Sequence, residues 1–182
     1  MTHPLILWRT HKQEIKLVPV VYNSKIPQTD FVQICASQNA QRKQTQLTLC
    51  VFNDNATDHP TANKGAGNGQ VRIYNRYAED KSGVYAAGVC TGIPGRGYQS
   101  LSGDAQDEID ANCNEIVQLL QTKRYNKVVY STVKNNPLAL MRWRGNTTYL
   151  PPLDCQIFTV SPEVLTYIAQ KLQAIVQRSN AS

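Results

Sequence analysis

Between residues 83 and 132 the chain reads as strand, helix, strand with few residues to spare, and this order restricts the fold more than any other feature. Gly83-Val84-Tyr85-Ala86-Ala87-Gly88-Val89-Cys90 is a continuous apolar run of strand length. From Asp104, read as an N-cap with Asp107 three residues on, Ile109, Cys113, Ile116, Val117, Leu119 and Leu120 fall at helical spacing. A short turn at 122–125 leads into a third element, the strand Lys127-Val128-Val129-Tyr130-Ser131-Thr132. Parallel neighbours need a connection of about a dozen residues or more, usually helical, so the pattern is that of a parallel crossover. With Gln46–Phe52 as another buried strand, it predicts a three-layer α/β/α domain with a mainly parallel central sheet.

The remaining elements are read around that unit. Ser161-Pro162-Glu163 offers a cap, a proline at the first helical position and an acid at the positive end of the dipole. Val164, Leu165, Tyr167, Ile168, Leu172 and Ile175 continue it as the closing helix. Upstream, Glu14–Tyr22 offers one or two strands, Thr29–Ser37 a short helix and Gln38–Gln44 a polar linker, while Pro137–Asp154 reads as a hairpin or lid.

At 182 residues and 41% hydrophobic, the chain suits one buried core. The expected division is an N-terminal extension, 1–45, packed on a main domain, 46–182. Net charge is +6, and residues 1–45 carry six Lys/Arg against two Asp/Glu. A bias of this size fits an anionic partner, but solubility alone explains it more often, so it carries little weight. Five widely spaced cysteines without a C-x-x-C pair read as reduced thiols, and three histidines leave metal ligands scarce. Neither a metal nor a cofactor is expected. The apolar run at Leu5-Ile6-Leu7-Trp8 is too short for a signal peptide, and no segment approaches a membrane span, so a soluble cytoplasmic protein is expected, with the sequons at Asn55, Asn146 and Asn180 unused.

Chemistry concentrates after the strands ending at Phe52 and Cys90. The first is followed by Asn53-Asp54-Asn55 and then Lys64-Gly65-Ala66-Gly67-Asn68-Gly69, the second by Thr91-Gly92-Ile93-Pro94-Gly95-Arg96-Gly97. Glycines let backbone N–H groups approach a phosphate, and ligands of open parallel sheets sit at the carboxyl ends of strands. Asn53, Asp54 and Asn55 suit the hydroxyls and ring nitrogens of a nucleoside. Lys64, Arg72 and Arg96 can neutralise phosphate, and Tyr77 and Tyr98 offer rings for stacking. Neither loop is a G-x-x-x-x-G-K-[ST] or G-x-G-x-x-G motif, which speaks against an ATPase or a dinucleotide dehydrogenase. The bland alternative is that both glycine clusters are surface turns.

Phe52-Asn53-Asp54-Asn55, followed by His59 and Lys64-Gly65-Ala66-Gly67, and then Thr91-Gly92-Ile93-Pro94 and Ser100-Leu101 before a helix, resembles the macrodomain-like proteins of bacteria and phages. In those, a strand ends in F-G/N-D-N, a short His/Gly loop follows, and the next strand ends in an I-P-T-like turn. The run Thr91–Gly95 is also similar to the S-T-G-I-x-G phosphate loop of ordinary macrodomains. The resemblance spans about residues 46–178. It implies an α/β/α fold that binds ADP-ribose, with hydrolysis of ADP-ribosyl bonds in some members. It implies nucleoside or distal-ribose contacts for Asp54 and Asn55, close backbone packing for Gly65 and Gly67, and phosphate contacts for Thr91, Gly92 and Gly95. Two departures stand out: the loops are closer together than in ordinary macrodomains, and Thr132 is followed by Val133-Lys134-Asn135-Asn136 instead of a glycine-rich phosphate loop.

The expected function is binding of ADP-ribose or a related nucleotide, extended in its enzymatic form to hydrolysis with Asp54 polarising water or ribose and Lys64 as electrostatic partner. His59, Asn68, Ile93 and Tyr98 complete the ligand-binding set. For Cys90 beside His59, a nucleophilic pair is weighed against simple packing in the sheet, the default for a cysteine in an apolar run. A nucleic-acid module lacks a contiguous basic stripe; a non-catalytic interaction domain and a sequestering protein for a signalling nucleotide remain the other classes.

Overall fold

The computed structural model describes residues 14–21, 47–61, 69, 71–72, 85–122, 125–132, 152–153 and 159–182. Six strands and two helices are formed by these residues: β1 (Lys16–Val21), β2 (Leu47–Asp54), β3 (Ala86–Cys90), β4 (Gly92–Ile93), β5 (Arg96–Gly97), α1 (Gly103–Thr122), β6 (Tyr125–Thr132) and α2 (Pro162–Ala181). The four long strands make one sheet in the order β1-β6-β2-β3, every pair parallel. The crossover expected from the sequence is therefore present: α1 carries the chain from β3, across β2, to β6. β4 and β5 form a separate antiparallel hairpin.

Alternation sorts the strand residues into two faces. Leu49, Val51, Ala87, Val89, Val128 and Tyr130 join one core with Ile109, Cys113 and Ile116 of α1 and Val164, Ile168, Leu172 and Ile175 of α2. α1 packs on β3 and on α2, and α2 reaches β1, so both helices lie on this face. The opposite face is buried as well: Cys50, Phe52, Ala86 and Val129 are at most 1% exposed. Near-continuous apolar strands are what burial on both faces of a parallel sheet demands.

Capping follows side-chain chemistry. Ser161 accepts a hydrogen bond from Val164 N and begins α2 with Pro162 behind it, as the sequence indicated. At α1 the expected N-cap moves from Asp104 to Ser102, whose Oγ accepts from Ala105 N at 3.4 Å. The helix starts at Gly103, so Asp104 lies in its first turn, where a carboxylate favours the positive dipole end.

The segment before residue 46 contributes directly to the sheet. β1 pairs with β6 from Lys16↔Lys127 to Val21↔Thr132, and Asn180 near the end of α2 fastens its entrance, accepting from Ile15 N at 2.7 Å and donating to Ile15 O at 3.0 Å. Pro19 fits because β1 is the outermost strand of the sheet among the described residues. One cysteine expectation is corrected: Cys90 and Cys113 are free, but Cys50 is disulfide-bonded, to a residue outside the described set. Disulfides require a close Cα approach that spacing along a chain does not reveal. The readings for 29–44 and for most of 137–154 also lie outside the described residues. Among the described residues no helix is long and apolar enough to cross a membrane.

Candidate functional site

The carboxyl ends of β2 and β3 meet at a buried charge cluster. Asp54, the last residue of β2, has a fully buried side chain, and Arg72 donates to its Oδ1 through Nε at 2.8 Å and also through Nη2. Asn55 N donates to the same oxygen at 2.9 Å, and His59 Nδ1 meets Oδ2 at 3.0 Å. On its far side, His59 Nε2 stands 3.4 Å from Oε2 of Glu115, a longer charge contact to α1. Signs alternate along this chain from Arg72 through Asp54 and His59 to Glu115.

The electrostatics follow from that alternation. Burial alone would raise the Asp54 carboxyl, but hydrogen bonds from His59 and Arg72 and the guanidinium charge outweigh it and hold the group below the usual carboxylate range. Burial alone would discharge His59, yet hydrogen bonds to Asp54 and Glu115 and their charges raise its pKa to about 9. The pair is thus an ion pair at neutral pH.

Two glycines make room for the cluster. A Cβ at Gly88 would sit 2.8 Å from Asp54 Oδ2 and 2.9 Å from His59 Nδ1, which explains a glycine in the middle of an all-buried strand. At Gly69 a Cβ would lie 3.1 Å from Arg72 Nη2, so the end of the first glycine loop packs against the guanidinium. Asn55 closes the intervening turn, with Oδ1 accepting from Asp58 N and Nδ2 donating to Asp58 Oδ2, both at 2.9 Å.

The second glycine segment folds as a hairpin. Ile93-Pro94-Gly95-Arg96 turns with φ +75° at Gly95, the pattern of a type II turn with proline then glycine at its centre. Gly92 faces its own partner strand so closely that a Cβ would lie 2.2 Å from Arg96 O. Thr91 N donates to Asp54 O at 3.0 Å, Ala56 N to Gly92 O at 2.8 Å and Tyr98 N to Thr91 O at 2.9 Å, so the hairpin is stitched to the end of β2. Ile93, Pro94, Gly95 and Arg96 are exposed.

Cys90 is not poised as a nucleophile. Its Sγ donates to Glu108 Oε1 at 3.4 Å, and burial, followed by the charges of Asp54 and Glu108, pushes the thiol far up. Reactivity requires the thiolate. Its backbone N–H donates to Asn112 Oδ1 at 2.8 Å, so α1 satisfies the outer edge of β3. Tyr98 is raised to about 12 by burial and then by neighbouring Cys90, Glu108 and Asp104.

The sequence-derived candidates therefore divide. Asp54, His59 and Arg72 come together in the buried cluster, with Asn55 beside it. Thr91, Gly92, Ile93, Gly95, Arg96 and Tyr98 build the hairpin and its base; Asn53 is buried in β2. Lys64, Gly65, Gly67, Asn68 and Tyr77 lie outside the described residues. The sequence reading missed Gly88, Glu115 and Asn112. A lone glycine inside an apolar strand was the available signal for the first, and Glu108-Asn112-Glu115, spaced four and three apart on one helical stripe, for the others. Among the described residues no group of three or more His, Cys, Asp or Glu is arranged to hold a metal ion. Comparison with family models, curated proteins and solved structures found no match to the chain.

Proposed function

We propose that the chain binds a phosphorylated nucleoside of the ADP-ribose class at the carboxyl edge of its sheet, in a three-layer α/β/α domain like the macrodomains its motifs resemble. The supporting observation is that β1, β6, β2 and β3 all run in one direction, so the segments leaving β2 and β3 emerge side by side at one edge, fastened by the Thr91–Asp54 and Ala56–Gly92 hydrogen bonds. Ligands of open parallel sheets occupy that edge. Burial of both sheet faces supports the third layer.

Roles divide by exposure. Asp54, His59 and Arg72 form the scaffold under the site, since their charges satisfy one another and the side chains are at most 4% exposed. The exposed hairpin meets the ligand, with Arg96 placed for phosphate and Tyr98 at its base for a ring contact. Binding is the proposal, and hydrolysis is not: both oxygens of Asp54 are engaged away from solvent, and general-base work needs a carboxylate within reach of the attacking water.

Titration calorimetry with ADP-ribose, using AMP and a cyclic dinucleotide as comparisons, tests the reading. Arg96→Ala is the informative variant because the residue is exposed and its loss leaves the fold intact. Binding by the parent, weakened about 3–10-fold in the variant through loss of a charge-assisted hydrogen bond, supports it. Absence of binding to all three overturns it.

A further inference from the structure

We infer that Gln99 is a positioning residue for the phosphate contact of Arg96, an inference that rests on the nucleotide reading above. Its Nε2 donates to Gly97 O at 2.8 Å and to Thr159 O at 2.9 Å. One side-chain amide therefore joins the hairpin arm that carries Arg96 to the residues entering α2, two positions before the Ser161 cap.

The hairpin needs such a tie. β4 and β5 are two residues each and, among the described residues, pair with one another and with no strand of the main sheet. A lone two-stranded hairpin is marginal in water, so its direction is set by what holds its two arms. The first arm is stitched to the end of β2 by backbone bonds, Thr91 N to Asp54 O and Ala56 N to Gly92 O. The second arm, β5, begins at Arg96 and leads away from the sheet toward α2. It is tied there by Ser161 N, which donates to Tyr98 O at 2.8 Å, and by the Gln99 bridge, which takes hold at Gly97, the residue next to Arg96.

Exposure separates positioning from stability. Gln99 is exposed, so water replaces its two bonds when they are lost. Ordering a long side chain costs conformational entropy of the same order as two neutral hydrogen bonds return, so the bridge adds little to the fold. What it fixes is the direction of the arm. An arginine held toward its ligand in advance binds without the further cost of ordering its segment, and the hairpin acts as a mount for Arg96.

The test uses the full chain with Gln99→Met, Arg96→Ala and the two combined. Methionine keeps the length of glutamine and adds no charge, but it cannot donate. Without ligand, Q99M melts within about 4 °C of the parent, as an exposed substitution in a chain of this size does. In calorimetry with ADP-ribose, Q99M binds about 3–5-fold more weakly than the parent, and the double variant matches R96A within about 1.5-fold, because both changes remove the same contact. Parent-like affinity in Q99M, or a double variant weakened by the product of the two single effects, overturns the inference and leaves the nucleotide reading intact. A larger fall in the melting temperature of Q99M shows that the bridge serves the fold and overturns it as well. If R96A binds like the parent, there is no contact to position and the inference fails. If the parent does not bind ADP-ribose, the nucleotide reading itself fails.

Discussion

Two charged clusters in this molecule use the same chemistry at opposite depths. Under β2 and β3, Arg72, Asp54 and His59 are at most 4% exposed. On the helical surface, Lys171 of α2 meets Asp110 of α1 at 2.8 Å, Tyr167 OH donates to the same Asp110 Oδ1 at 2.7 Å, and the Lys171 ammonium lies 5.0 Å from the Tyr167 ring centroid. Each has an acid, a base and a third hydrogen-bonding group. Burial makes the first obligatory, since removing one member strands a charge in low dielectric, whereas water takes over for any missing member of the second.

The strongest way to break this comparison is Asp54→Ala. It leaves Arg72 and His59 without their shared carboxylate and should cost about 3–5 kcal/mol in urea unfolding. A loss below about 1 kcal/mol would put the two clusters in the same class.

Titration sharpens it next. His59 is raised from 6.5 to about 9 on folding, so its contribution is complete below pH 6.5, declines as pH rises, and is gone above about 9. Asp54 is lowered from 3.8, so its contribution is present above that value and is lost as pH falls below it. The cluster thus stabilises most between about pH 4 and 6.5, and unfolding at pH 9.5 should show a loss of at most about 3 kcal/mol. His59→Gln should flatten the alkaline limb.

Gly88→Ala is the third test. Its added methyl meets Asp54 Oδ2 and His59 Nδ1 at under 3 Å and should cost about 1–3 kcal/mol through overpacking. Least affected should be Lys171→Met on the surface, within about 1 kcal/mol of the parent and less at high salt. Chemical denaturation of each variant places it on this scale.

What the sequence disclosed depended on how local the cause was. Strand, helix and strand between 83 and 132 and the Ser161-Pro162 cap were legible because periodicity and capping act over a few residues. The pairing of Lys16–Val21 with β6 was not, since parallel pairing joins segments over 100 residues apart, and their side chains alone do not select a partner. Glycine was ambiguous for a physical reason: the same residue serves a phosphate nest, a type II turn as at Gly95, or a close approach to a charge as at Gly88. Only the neighbours across the fold decide. Asp54 was legible as the chemical focus of this edge, but its burial, which makes it an internal tie to Arg72 and His59 and not a solvent-facing group, depends on Arg72 coming 18 residues later.

The most direct test of the account is calorimetric titration of the intact chain with ADP-ribose. The account predicts saturable micromolar binding that Arg96→Ala weakens while the melting temperature stays at the parent value. No heat of binding from a folded, cooperatively melting protein would contradict it and reduce the hairpin and the glycine loop to turns that hold the sheet edge together.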